Sequence, residues 1–114
     1  MAGDCFETAA GLVAQDPSLT LVHGIVWHAD TGRHWHAWVE RTVTFEMPEV
    51  GQRSYEVMID RSNGNDVSVP TGLGYKLGRI DRDETWRYTS SEMIRAMAEH
   101  GNYGPWVDDF ADLP

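Results

Sequence analysis

His34-Trp35-His36-Ala37-Trp38-Val39-Glu40 is the stretch on which the reading of this chain turns. Successive side chains of an extended strand point to opposite faces, so Trp35, Ala37 and Val39 fall on one side and His34, His36, Trp38 and Glu40 on the other. The first set makes a packing face; the second is expected to be the polar one. The strand-forming run extends from Trp35 to Phe45, and Pro48 to Gln52 reads as the loop after it. Tyr55 to Asp60 then alternates Tyr55, Val57 and Ile59 against Glu56, Met58 and Asp60, the pattern of a half-buried strand, and Ser62-Asn63-Gly64-Asn65 closes it with turn chemistry. If these two strands are neighbours, the His36 imidazole and the Asp60 carboxylate can meet.

Working outward toward the N-terminus, Leu19 to Trp27 has the β-branched and aromatic content of a strand, and Asp30-Thr31-Gly32 supplies the turn into the central run. Before it, Asp4 and Glu7 have the spacing of a capping box, and Phe6, Ala9, Ala10 and Val13 recur at helical intervals. This predicts an amphipathic helix from about Cys5 to Gln15, ended by Asp16-Pro17.

Toward the C-terminus, Asp66 to Val69 begins another strand. Pro70 to Gly78 carries three glycines and is read as non-helical, and Leu77 to Ile80 is read as a short strand. Thr89 and Glu92 form a second capping box, followed by an apolar stripe of Met93, Ile94, Met97 and Ala98 that stops at His100-Gly101. Asn102 to Trp106 is turn-rich, and the acidic tail through Asp108, Asp109 and Asp112 is expected to hug the surface. The sum is one α+β domain over residues 1–114: an N-terminal helix packed on an antiparallel sheet of about four to five strands, with a C-terminal helix.

Acidic residues outnumber lysine plus arginine by 18 to 9, for a net charge of −9, which argues against a phosphate backbone or an anionic lipid surface as the main partner and favours a basic one. The first residues lack a positive region and an apolar run, and the apolar stretch from Leu21 to Trp27 is interrupted by His23 and Gly24. Neither a signal peptide nor a membrane span is therefore expected, and the cytoplasm is the expected location. A single cysteine cannot form an internal disulfide, which suits a reducing compartment and leaves the Cys5 thiol to be explained.

Cys5 falls in the first turn of the first predicted helix, where unpaired backbone N–H groups and the helix dipole favour a thiolate, while the neighbouring Asp4 opposes the effect. Thiolate, imidazole and carboxylate are the three parts of nucleophilic acyl transfer, and their chain order here is Cys5, His36, Asp60. The His36-Ala37-Trp38-Val39-Glu40 string, with Cys5 at a helix start upstream and Asp60 at the end of the next strand, resembles the core of the transglutaminase-like, papain-like cysteine hydrolases.

The resemblance covers Asp4 to Asn63. It implies a papain-like fold in which the cysteine helix packs on an antiparallel sheet bearing the histidine and then the aspartate. It also implies a hydrolase or acyltransferase of thiol-protease, deamidase or transglutaminase type, acting on an amide, thioester or isopeptide bond in a protein or peptide. Cys5 would be the nucleophile, His36 the base and acid, and Asp60 the orienter, with no cofactor. Many members carry an oxyanion-stabilising side chain upstream of the cysteine, where only Met1 to Asp4 lie here, so the Cys5 backbone N–H is the one donor that can be named.

Other readings use the same residues. Cys5 alone would be a small core hydrophobe, His36 a strand histidine and Asp60 a turn cap. His34, His36 and Glu40 share one face with the H-x-H-x-x-x-E spacing of a cupin's first metal motif, and Gly64, Pro70 and Gly72 echo the second. Tyr75, however, stands where the second motif's histidine belongs, and a cupin is nearly all strand. The five tryptophans and the Tyr103-Gly104-Pro105-Trp106 turn allow a third reading, a catalytically inactive papain-like module that binds a protein partner. The sequence leaves substrate, acyl acceptor and oligomeric state open.

Overall fold

The computed structural model describes residues 4–64 and 66–107, leaving out the side chain of residue 63. It is an α+β structure with a five-stranded antiparallel sheet and three α-helices. The elements are α1 (Asp4–Gln15), β1 (Thr20–His28), β2 (Gly32–Met47), β3 (Gly51–Asp60), β4 (Val67–Pro70), α2 (Thr71–Leu77), β5 (Thr85–Tyr88) and α3 (Ser90–His100), with single 3₁₀ turns at Ser62–Gly64 and Arg82–Glu84. Strand order is β4-β3-β2-β1-β5. The acidic tail at Asp108, Asp109 and Asp112 lies outside the described residues.

β2 is the long central strand, and its two halves have different neighbours. Residues from Gly32 to Glu40 pair with β1, whereas pairing with β3 runs only from Val39 opposite Ile59 to Met47 opposite Gly51. Among the described residues the N-terminal half of β2 is thus paired on its β1 side alone, which leaves an open sheet edge beside His36.

The two faces of the sheet are both apolar. On one, Leu21, Ile25, Trp35, Ala37, Val39, Val57 and Ile59 pack against Phe6, Ala9, Ala10 and Val13 of α1 and Met93 of α3. On the other, Val22, Trp38 and Met58 pack against Tyr75 of α2. The second face was expected to be polar; instead Trp38 and Glu40 are buried there, because α2 covers it.

That covering helix is the main departure from the sequence reading. Gly72 and Gly74 cost roughly 1 kcal/mol each in helix propensity, yet Thr71–Leu77 is helical. Pro70 enters it at φ −54°, already suited to a helix start. At Gly74 the helix backbone lies so close to Met58 and Val69 that a side chain would collide with both. Packing on the sheet outweighs propensity there. Leu77 to Ile80, read as a strand, is instead the helix end, where Gly78 caps it, followed by Arg79 at φ 51°. The edge strand beside β1 is β5, a segment that the sequence reading left unassigned between the Arg82–Glu84 turn and the Thr89 cap. Both Thr89 capping-box bonds form, and Gly101 ends α3 in the left-handed conformation at φ 69°.

Gly24 gives the Trp38 ring its place: a methyl group there would run into the indole and crowd Thr85. Gly24→Ala is therefore expected to destabilise the fold by about 1–3 kcal/mol, read as a lower urea midpoint, with no loss of secondary structure by circular dichroism at 25 °C.

Candidate active site

The open edge of β2 is where three elements bring their polar side chains together. β3 ends at Asp60, and the chain turns at once into the Ser62–Gly64 turn, which packs beside α1. Asp60 Oδ1 accepts both the Ser62 backbone N–H (3.0 Å) and the Ser62 hydroxyl (2.7 Å), a local turn that fixes the carboxylate. Its other oxygen, Oδ2, lies 2.7 Å from His36 Nε2. The Cys5 side chain is also hydrogen-bonded to His36. Cys5 sits in the first turn of α1, and Thr8 one turn on donates its hydroxyl to Asp4 Oδ1 at 3.1 Å. The three residues singled out by the sequence therefore form one continuous hydrogen-bonded path.

The charges of this path are set by burial and by neighbours working against each other. Burial alone would lower the His36 pKa, but the hydrogen bonds to Asp60 and Cys5 and the attraction of both raise it to about 9. Burial would push Asp60 up; the hydrogen bonds from His36 and Ser62 and the imidazolium charge outweigh this and hold it below the ordinary carboxylate range. At neutral pH the ring thus carries its positive charge with a carboxylate and a sulfur as its partners.

A second network holds the ring from its face. Trp38 stacks on His36 with centroids 6.0 Å apart and planes at 28°. The indole N–H donates to Glu40 Oε2 at 2.8 Å, and Tyr75 and Arg87 both donate to the same carboxylate. Glu40 is only 3 % exposed and is held by three donors from β2, α2 and β5. The sequence reading placed Trp38 and Glu40 with His36 on the expected polar face; their alliance depends on α2 and β5, which it did not assign. Ser62 was legible only as a turn residue, although the Asp-x-Ser spacing is itself the signal for a carboxylate held by its own turn.

The cupin-like set is not assembled. Glu40 is committed to Trp38, Tyr75 and Arg87, and the His34 and His36 ring centroids lie 6.4 Å apart. Among the described residues, no three His, Cys, Asp or Glu side chains are placed to hold a metal ion. His23 is a core group of another kind. It is 1 % exposed and ringed by Phe6, Tyr88 and Trp106, and burial lowers its pKa to about 3.

Cys5 is 3 % exposed, and the niche beside it, lined also by Ala37, Trp38 and Ser62, has a cavity volume of ≈ 0 Å³, too tight for a water molecule. A larger cleft of ≈ 510 Å³ opens against His36 and Asp60 on the α2 side. Among the described residues, no helix is long and apolar enough to cross a membrane. Comparison of the chain with protein-family models, with curated proteins and with solved structures gives no match.

Two outcomes follow. A histidine whose folded pKa is about 9 against an ordinary 6.5 contributes stability that is complete below pH 6.5 and is lost as pH rises through 9. The wild-type urea midpoint should therefore fall more between pH 6.5 and 9 than that of His36→Gln; equal slopes would show that the ring gains nothing from its partners. Glu40→Ala leaves three donors facing a buried gap and is expected to cost about 3–5 kcal/mol in the same measurement.

Proposed function

We propose that this chain is a papain-like, transglutaminase-like cysteine enzyme that transfers an acyl group through a thioester at Cys5. The observation that carries the reading is the path Cys5–His36–Asp60, assembled from a helix start and two adjacent strands. Because Nε2 is committed to Asp60, Nδ1 is the ring nitrogen left to serve the sulfur. The Cys5 sulfur attacks the carbonyl carbon of an amide, thioester or isopeptide bond. His36 delivers its proton to the leaving group and then takes one from the incoming water or amine, while Asp60 keeps the ring oriented and its positive charge balanced. The trio itself calls for no cofactor. The substrate is a protein or peptide, and the chain's net charge of −9 favours a basic one over nucleic acid.

One observation favours a second reading, an inactive module of the same fold that binds a protein partner: Cys5 is 3 % exposed, in a niche with a cavity volume of ≈ 0 Å³, far below the size of ordinary substrate sites. Alkylation separates the two. Iodoacetamide should modify Cys5 in the native protein near neutral pH, and His36→Ala should slow that modification by on the order of 10²-fold. A native thiol that stays inert until the protein is denatured contradicts the enzyme and leaves the binding module.

A further inference from the structure

The cleft of ≈ 510 Å³ is lined by His36 and Asp60 but not by Cys5. That division has a chemical meaning. In transfer through a thioester, the group bonded to sulfur must lie against the cysteine. The group that exchanges a proton with the imidazole need only reach the ring. A cavity that touches the base and misses the nucleophile suits the second group. We propose that this cleft holds the acyl acceptor, and in the first half-reaction the leaving amine, and that it selects an amine attached to an uncharged apolar body. The proposal rests on the acyl-transfer reading and names the substrate class that reading leaves open.

The lining argues for the apolar body. Val26, Met58 and Ile80 form part of it, continuous with the buried cluster around Trp38 and Tyr75. Trp27 and Leu77 line it too, and Leu77 is 71 % exposed, an aliphatic side chain left uncovered beside a cavity. Among the described residues no lysine, arginine or glutamate lines the cleft; its polar lining is the imidazoles of His28, His34 and His36 and one carboxylate, Asp60, which is committed to His36 and Ser62. An ionic side chain on the ligand would lose hydration there and meet neither a lysine or arginine nor an uncommitted carboxylate. The cleft is also tied together: the Trp27 backbone N–H donates to the Gly78 carbonyl at 3.0 Å, joining the end of α2 to β1. Its volume falls within the range of preformed small-ligand sites.

The step balances without any further reagent. The acceptor nitrogen bonds to the thioester carbon, the carbon–sulfur bond breaks, and the electron pair returns to sulfur. The acceptor's displaced proton passes to His36.

The test loads the full chain with p-nitrophenyl acetate, follows Cys5-dependent nitrophenol release, and then offers glycinamide, leucinamide, phenylalaninamide or glutamic acid α-amide. These share one amine head and differ in the body behind it. The acetylated products are counted by mass spectrometry, with Cys5→Ser as the background. The expected result is saturable transfer to leucinamide and phenylalaninamide, on the order of tenfold or more faster than to glycinamide, with the glutamic acid amide slowest. In Leu77→Asp, whose exposed position leaves the core untouched, that preference should collapse toward unity. Acetylation of Cys5 followed by equal transfer to all four amines, or a preference that survives Leu77→Asp, overturns the assignment of the cleft while leaving the acyl-transfer reading standing. Absence of Cys5-dependent nitrophenol release overturns both.

Discussion

Pairing between β2 and β3 stops at Val39 and Ile59, and the geometry of the site follows from that stop. Beyond it, β3 has only Asp60 left before the chain turns away, while the N-terminal half of β2 continues with β1 as its partner. An edge inside a sheet exposes backbone groups and invites something to cover it. Here the start of α1 and the Ser62–Gly64 turn pack beside it. Cys5 belongs to the helix packed on the Trp35, Ala37 and Val39 face, His36 alternates with those residues on β2, and the open edge is what lets the two side chains meet. Had β3 continued its register by a few residues, its backbone would stand between sulfur and imidazole.

The ring at that edge is held on several sides by groups that depend on one another. Asp60 is fixed by its own turn, Trp38 stacks on the ring face, and Glu40 holds the indole. A buried carboxylate stabilises little by itself and costs much when its partners are removed. Glu40 has donors from three elements, so α2 and β5, though remote from the sulfur, help fix the imidazole plane. The distribution of polar groups is consistent: among the described residues Glu40 is the buried carboxylate, and three donors surround it.

Much of this was legible in the amino-acid pattern. Alternation across Trp35, Ala37 and Val39 gave the packing face, and helical spacing of Phe6, Ala9, Ala10 and Val13 gave α1, since both periodicities report directly on burial. Cys5 and Asp60 could be named because each stands at a helix or strand end whose boundary had its own signal, and His36 because alternation set it opposite Trp35. What failed was what depends on tertiary contact. Glycines in Thr71–Leu77 oppose a helix locally but permit the close approach of Gly74 to Met58. β5 is four residues long and pairs only with β1, too short for periodicity to mark. Without those two elements, Glu40 read as an exposed acid and a candidate metal ligand.

The account's central claim is that sulfur, imidazole and carboxylate act on one another as a unit. The most direct measurement is the titration of the His36 ring by nuclear magnetic resonance in the wild type and in Cys5→Ser. The account predicts a wild-type midpoint near 9 that moves toward the ordinary histidine value of 6.5 when the sulfur is replaced. A midpoint near 6.5 in the wild type, or one that Cys5→Ser leaves unmoved, would contradict it.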